Sequence, residues 1–404
     1  MKAAKTMLMS NPRAARAVVG VANRDITPPV GIYARQWGAA THDQAQGVHR
    51  PLFLQSLVIR PIEGGDPLVL IAGDLTWFRL QSDMAHLREP LIEKLGLDPA
   101  NIMLSCSHTH AACSLCSAEG DMPGGEMIGE YFDTLRETIY EATRQALDEA
   151  TPATITTATG RCALATNRDF KDPDADRFIC GFNPEAAADD TLMVARITRD
   201  DTGAVLATIV NYACHPTTLA WDNDRLSPDY VGAMRALVEA HTGGAPCVFL
   251  QGASGELAPA DQYTGDREIA DAGGRYLGYA AITALESMLP PKRGLGFEGV
   301  VESGAPLAVW RQRTFEPSTV ITAERFDVPL LLRPELPTVA EFERDYAAAE
   351  DRTIKERFRR KLFNRRELGD GPTVPVAANV WRIGDMVLVG QPCEAYSDFQ
   401  IQLR

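Results

Sequence analysis

Short apolar runs and longer amphipathic stretches alternate through most of this chain, and this alternation limits the fold more than any other feature. Runs rich in Val, Ile and Leu, such as residues 53–62 and 101–105, are bounded by turn residues, which indicates strands. In residues 125–150 apolar side chains recur at three- and four-residue steps, which predicts a helix. We therefore expect an α/β fold with a layered, mixed β-sheet core flanked by helices.

Two hairpins and one irregular segment are predicted within this alternation. The first hairpin joins residues 192–199 to 204–212, and the second spans 377–390 and turns at Gly384 and Asp385. Residues 290–337 show the weakest periodicity. We expect an irregular insertion or cap there.

Charge and cysteine usage exclude several classes of protein. The 404 residues carry 40 Lys and Arg against 54 Asp and Glu, a net charge of 40 − 54 = −14, so nucleic acid is not expected as a partner. No apolar run reaches the roughly 18 residues of a membrane span, and the N-terminal residues lack the apolar stretch of a secretory signal. The eight cysteines form no compact framework. A cytoplasmic location with reduced thiols is therefore expected.

Residues 352–366 depart from the acidic average, with eight basic residues and a single Glu356. Ile354, Phe358 and Leu362 fall on one helical face, so the segment predicts a basic amphipathic helix. Weak contact with an anionic membrane surface is one interpretation. Packing of the apolar stripe on the core is the favoured one. The oligomeric state is not predicted.

Histidines follow two of the predicted strands. His108 and His110 lie two residues apart after the strand 101–105, so they can project to the same side. His215 follows the strand 204–212 and precedes Pro216. Histidines with a carboxylate form a usual catalytic zinc site. Spacing does not identify the carboxylate, but Glu394 is a candidate because it too follows an apolar strand.

A serine nucleophile and a cysteine nucleophile are the two alternatives to a metal site. Residues 251–259 form a Gly-rich turn after a strand, but Glu256 stands where a nucleophile elbow has its closing glycine. Cys106 and Cys214 have histidines nearby and would suit a cysteine hydrolase. Neighbours on a strand point to opposite faces, however, so Cys214 and His215 should not form a pair.

Taken together, these segments resemble the catalytic domain of the neutral/alkaline (non-lysosomal) ceramidase family. The resemblance covers most of the chain and rests on the order and spacing of several motifs rather than on any one of them. The motifs are Asp25-Ile26-Thr27-Pro28-Pro29, residues 47–53, Ser107-His108-Thr109-His110, Asn167-Arg168, residues 211–217, residues 255–259 and Pro392-Cys393-Glu394.

The resemblance implies a zinc amidase of lipid metabolism that cleaves an N-acyl bond. By this resemblance the zinc ligands are His108, His215 and Glu394, and the family's fourth ligand is a tyrosine further along the chain. His110 and Arg168 then line the active site as catalytic residues. The substrate-binding positions that we assign are Asn167, Gly255 and Glu256.

Three departures from the family pattern bear on the substrate. Ala111-Ala112-Cys113-Ser114 replaces the family's S-G-P-G continuation, and Ala258 stands at the position of the family's serine. The family's tyrosine and C-terminal immunoglobulin-like domain would lie beyond Arg404. We therefore treat residues 1–404 as a single ceramidase-like catalytic domain and expect the natural protein to be longer.

The sequence thus predicts a zinc-dependent hydrolase that cleaves an amide bond with metal-activated water. The expected substrate is a small-molecule or lipid-like N-acyl compound other than ceramide. An esterase or lactonase using the same zinc site is one alternative. A catalytically reduced relative that only binds ligand is the other.

Overall fold

The computed structural model describes residues 8–404, which form strands, α-helices and three short 3₁₀ turns. The strands are β1 Met9–Ser10, β2 Ala14–Asp25, β3 Gly47–Val48, β4 Phe53–Arg60, β5 Leu68–Gly73, β6 Ile102–Cys106, β7 Thr151–Arg161, β8 Ala165–Asn167, β9 Asp169–Lys171, β10 Phe178–Cys180, β11 Thr191–Arg199, β12 Val205–Tyr212, β13 Arg225–Leu226, β14 Cys247–Gln251, β15 Leu257–Pro259, β16 Arg293–Glu302, β17 Pro306–Thr314, β18 Ile321–Leu331, β19 Thr373–Ile383 and β20 Met386–Gly390. The helices are α1 Gln81–Leu95, α2 Ile128–Asp148, α3 Tyr230–His241, α4 Arg267–Glu286, α5 Val339–Ala348, α6 Arg352–Leu368 and α7 Ser397–Leu403.

One mixed sheet of eight strands organises the fold, in the order β14-β12-β11-β7-β2-β4-β5-β6. The β5–β6 and β12–β14 pairs are parallel, and the other pairs are antiparallel. β14 also contacts β5 and β6, although it lies at the opposite end of the strand order. The sheet therefore curls back on itself, which brings loops from distant strands together.

Helices cover the outer face of this sheet, as the alternation predicts. α2 packs on β2 and β4 through an apolar cluster that includes Phe132, Leu135 and Ile139. α3 and α4 pack against β7, β11 and β14 in a second cluster that includes Tyr230 and Phe249. The prediction of a mixed α/β fold with flanking helices is confirmed.

The inner face is closed by a smaller sheet in the order β18-β19-β20. Trp381 of β19 is fully buried among Leu57, Leu70 and Val248, and its indole N–H donates to the carbonyl oxygen of Ala100. Burial of so large a side chain stabilises the sheet contact by roughly 2–3 kcal/mol. The predicted hairpin ending at Gly390 is β19–β20, and its anchored position fixes where the chain leaves β20.

Residues 290–337 are regular, and the expectation of an irregular insertion is wrong. β16 pairs with β17, and β18 pairs with β19 over its whole length. Both faces of these strands are largely exposed, as at Val300, Leu307 and Phe326. Without one buried face they lack the apolar–polar alternation by which sequence patterns reveal strands.

The basic segment is the helix α6, and several of its arginines face the protein. Leu362 is buried, as the favoured interpretation predicts. Arg360 donates to the carbonyl oxygens of Arg35 and Gln36, and Arg359 pairs with the buried Glu119. These contacts fix the loop after β2, which reaches the candidate site. Membrane contact of this helix stays a prediction.

Most of the cysteine side chains are buried thiols. All eight cysteines are free and lie within the described residues. Burial raises the pKa of Cys113 to about 12 and that of Cys116 to about 11, so both thiols stay protonated near neutral pH. Among residues 8–404, no helix is both long and apolar enough to cross a membrane.

Candidate metal centre

Loops after three strands bring the predicted ligands together. His108 and His110 follow β6, His215 follows β12, and Glu394 follows β20. Potential ligand atoms of the three histidines all lie within 4.8 Å of one another. The curled sheet thus assembles groups that are far apart in sequence.

The turn after β6 holds His108 in an unusual backbone conformation. Its φ is 65°, in the left-handed region that residues other than glycine rarely adopt. The amide of Ser107 donates to the carbonyl of Gly73, and that of His108 to the carbonyl of Leu75. These bonds to the neighbouring segment hold the strained residue in place, and strain of this kind is typical of functional sites.

The imidazole nitrogens and carboxylate oxygens that could bind a metal face one another at similar distances. His108 Nε2 lies 3.5 Å from Glu394 Oε1, and His215 Nε2 lies 3.4 Å from Glu394 Oε2. His110 Nε2 lies 3.3 Å from His108 Nε2. Two ring nitrogens that face each other need a shared proton or a cation between them, so the geometry suits a bound metal.

The tautomer of His215 is set by its second ring nitrogen. His215 Nδ1 lies 2.6 Å from the carbonyl oxygen of Ser254, which can only accept a hydrogen bond. Nδ1 must therefore carry a proton, and Nε2 is the ring nitrogen that faces Glu394. Metal-binding histidines are usually oriented by such a contact.

Burial keeps His108 and His110 neutral and available as ligands. Burial first, and then the proximity of His215, lower the pKa of His108 to about 4. Burial, with His108 adding to the effect, lowers the pKa of His110 well below its ordinary value. The contact with His215 is the main cause that lowers the pKa of Glu394 to about 2. At neutral pH His108 and His110 are therefore neutral and Glu394 is ionised.

His110 sits within an aromatic wall that the sequence did not reveal. Its ring centroid lies 5.1 Å from that of Trp37 and 4.8 Å from that of Trp77. Trp37 in turn contacts Trp221 and Tyr263, which stack on each other with centroids 5.7 Å apart. The half-buried wall borders one side of the histidines with apolar surface.

Arg168 lies on the other side of His215. Its Nε and one terminal nitrogen donate to the carbonyl oxygen of Gly255 at 3.0 and 2.7 Å. That terminal nitrogen is also 3.4 Å from His215 Nε2. The guanidinium is thus held rigidly beside the donor cluster, where it adds positive charge.

The three positions assigned to substrate binding also lie near the site, with their polar groups engaged in the protein. The Asn167 side chain accepts a hydrogen bond from the amide of Asp169. The Gly255 carbonyl binds Arg168. The Glu256 carboxylate is buried and accepts hydrogen bonds from the amide and hydroxyl of Ser397. Binding of substrate by these residues stays a prediction.

The donor set fits zinc. In a tetrahedral site with bonds of about 2.0–2.1 Å, neighbouring donor atoms lie roughly 3.3–3.4 Å apart. Three of the six pairs among His108, His110, His215 and Glu394 have distances close to this range: 3.3 Å for His110 and His108, 3.4 Å for His215 and Glu394, and 3.5 Å for His108 and Glu394. Either three histidines, or two histidines with Glu394, would supply the three protein ligands of a catalytic site. The Glu394 side chain is 59% exposed, so the carboxylate side opens to solvent.

The serine and cysteine side chains that could replace a metal as the source of the nucleophile are buried or hydrogen-bonded. Ser254, the serine of the Gly-rich turn, is buried, and its hydroxyl oxygen accepts a hydrogen bond from the Gln251 side chain at 2.7 Å. Burial raises the pKa of Cys106 to about 12 and that of Cys214 well above its ordinary value. Neither thiol is a ready nucleophile.

Comparisons with known proteins identify the family of the chain and its fold. A family profile described as neutral/alkaline non-lysosomal ceramidase, N-terminal, matches residues 18–256. That range contains His108, His110, Arg168 and His215 but not Glu394. No curated protein sequence matches the chain significantly.

Two solved structures share the fold. The neutral ceramidase from Pseudomonas aeruginosa matches with a TM-score of 0.63 and 16% identity over 94% of this chain and 62% of its own. A ceramidase complexed with C2 matches with a TM-score of 0.64 and 16% identity over 98% of this chain and 65% of its own. The chain thus spans less than two thirds of either protein. Because the profile matches more than half of its residues, the chain belongs to the neutral/alkaline non-lysosomal ceramidase family.

Proposed function

We propose that this chain is a zinc-dependent hydrolase that cleaves the N-acyl bond of an amide, ceramidase-like in chemistry but not specific for ceramide. The observation that carries the proposal is the convergence of His108, His215 and Glu394 at the ends of three distant strands, where His108 Nε2 lies 3.5 Å from one oxygen of Glu394 and His215 Nε2 lies 3.4 Å from the other. Family membership supports a hydrolase of the ceramidase type.

His108, His215 and Glu394 would hold the metal, with the open side toward solvent and substrate. Zinc, when bound there, would polarise the scissile carbonyl and lower the pKa of a water molecule to roughly 7. The Ser254 carbonyl would keep the His215 lone pair directed at the ion. The two oxygens of Glu394 already face the two imidazoles, so little rearrangement is required.

His110 and Arg168 would carry the proton and charge transfers of the reaction. The neutral His110 ring can accept a proton from the attacking water and return it to the leaving amine. Arg168 would stabilise negative charge that develops on the carbonyl oxygen, since Gly255 already fixes its guanidinium. The aromatic wall of Trp37, Trp77, Trp221 and Tyr263 would exclude water from the side of His110.

The substrate is proposed to be an N-acyl compound smaller than long-chain ceramide. Ala258 and the changed residues 111–114 are departures from the family pattern near the histidine motifs. Ala258 is buried, so its change removes no nucleophile from this scheme. An ester or lactone would fit the same chemistry, and a relative that only binds ligand would keep the metal without turnover.

Metal analysis and a substrate panel test the proposal together. The purified chain should hold about one zinc per molecule and release amine from short N-acyl amides faster than from long-chain ceramide. His215→Ala should stay folded and lose both zinc and activity. Bound zinc with no turnover of amides or esters would favour the binding-only relative, and full zinc occupancy in His215→Ala would refute the ligand assignment.

A further inference from the structure

The segment that carries Glu394 is held by a distant turn, residues 252–256, which we call the anchoring turn, and by the side chains of Asp169 and Asp189. The amide of Gly255 donates to the carbonyl oxygen of Ala395 at 2.8 Å. The amide of Ala253 donates to Gln400 Oε1 at 3.0 Å. The amide of Ser397 donates to both oxygens of Glu256, at 3.0 and 2.9 Å. The anchoring turn therefore fixes both ends of the chain from 395 to 400.

Glu256 supplies the N-terminal cap that α7 lacks locally. The residue before the helix, Tyr396, makes no side-chain cap. The Glu256 carboxylate instead accepts the hydrogen bonds of the Ser397 amide and hydroxyl at the first turn. Glu256 is 7% exposed and Ser397 is 6% exposed, so water does not readily replace this contact.

Glycine at 255 permits the close approach of the two segments. A Cβ atom there would lie 2.5 Å from Tyr396 Cδ1 and 2.8 Å from the carbonyl oxygen of Glu394. Both distances are below any normal contact, and the second involves backbone. A side chain at this position would therefore push the Glu394 segment outward.

The anchoring turn also holds the other side of the donor cluster. The Ser254 carbonyl orients His215, and the Gly255 carbonyl binds Arg168. Three consecutive residues thus contact His215, Arg168 and the Glu394 segment in turn. Glu394 itself is 59% exposed, and its contacts are with His108 and His215, so its position depends on the backbone that carries it.

We infer that Glu256 is a positioning residue that fixes Glu394 within reach of His108 and His215. It acts through Ser397 and α7 and does not itself touch the reacting atoms. The inference rests on the proposed zinc site. It assigns to the buried Glu256 carboxylate a role distinct from the substrate binding that the sequence suggested.

Zinc affinity and backbone exchange measured on the full chain test this inference. Outer contacts that orient metal ligands typically change affinity by about 10–100-fold. In competition with a fluorescent chelator, Glu256→Ala should therefore bind zinc roughly 10–100-fold more weakly than the wild type. Ser397→Ala keeps the backbone donor and should show a smaller loss. Hydrogen–deuterium exchange of residues 395–403 should rise in Glu256→Ala, while that of β20 should not change.

Glu239→Ala is the matched control. Glu239 also accepts a backbone hydrogen bond, from the amide of Cys247 at 3.0 Å, but it lies outside the site. It should lower stability without changing zinc affinity. If Glu256→Ala and Ser397→Ala both bind zinc as tightly as the wild type, the inference is overturned. If the wild type itself binds no zinc, the proposed function fails. The positioning role of Glu256 is then tested by hydrogen–deuterium exchange alone, and unchanged exchange of residues 395–403 in Glu256→Ala would overturn it.

Discussion

Replacing His110 by alanine separates the proposed proton carrier from the metal ligands. His110 Nε2 is 3.3 Å from His108 Nε2, so this ring lies close enough to serve in either role. If it transfers protons, the His110→Ala variant should keep zinc while kcat falls by about 10²–10⁴-fold, the usual contribution of general acid–base catalysis. That loss corresponds to roughly 2.7–5.5 kcal/mol of transition-state stabilisation.

The same change has a separate effect on stability. The His110 ring packs at 5.1 and 4.8 Å from Trp37 and Trp77. An aromatic pair contributes about 0.5–1.5 kcal/mol, so loss of both contacts should lower the free energy of unfolding by roughly 1–3 kcal/mol. Denaturant unfolding followed by tryptophan fluorescence measures this loss.

Zinc content and steady-state kinetics on the same preparations decide the role of His110. His241→Ala is the matched control, because His241 pairs with Glu286 at the surface and should change neither quantity. Loss of zinc from His110→Ala to the same extent as from His215→Ala would make His110 a ligand. That result would refute its assignment as proton carrier.

Three further predictions concern the scaffold. Asp74→Ala should lower the free energy of unfolding, measured with denaturant, by about 3–5 kcal/mol. Arg235 would then stay buried without the two hydrogen bonds of 2.7 and 2.8 Å that it makes with Asp74. A loss below about 1 kcal/mol would refute this reasoning. Burial alone would raise the pKa of Glu356, but Arg359 and Arg360 outweigh it and lower that pKa from 4.5 to about 2. The stability that this carboxylate provides is thus present above pH 5 and lost as the pH falls toward 2. The loss in the free energy of unfolding is at most about 3 kcal/mol. Glu356→Gln should remove that part of the pH dependence of unfolding. Vesicles of anionic lipid should bind the chain weakly and release it at physiological salt. The reason is that Arg352, Arg359 and Arg360 already bind the protein's own groups. Tight co-sedimentation with the vesicles at physiological salt would contradict this expectation.

The sequence pattern predicts the strand ends that carry the histidines but not what completes the site. His108 and His215 follow strands with clear apolar runs, and such positions are found by periodicity. The pairing of Glu394 with them depends on how the smaller sheet, which contains β20, packs on the larger one, and spacing does not encode that packing. Ser254, Ser397 and Trp37 were missed because each acts across a long sequence separation from a loop without periodic signature. Trp221, which follows His215 closely in the sequence, is the one available signal of the aromatic wall.

The fold was predictable where one face of an element is buried. The helix α2 shows a clean apolar stripe and begins within three residues of its predicted start. The strands β16, β17 and β18 expose both faces, so nothing in their pattern distinguishes them from irregular chain. The structure of β18 depends on pairing with the distant strand β19, and such a partner is not readable from local composition.

Crystals grown with zinc and measured on both sides of the zinc absorption edge test the central claim most directly. We expect one anomalous peak about 2.0–2.1 Å from His108 Nε2 and His215 Nε2, and about 2.0–2.2 Å from a carboxylate oxygen of Glu394. A site without anomalous signal, or a peak bound elsewhere in the chain, would contradict it.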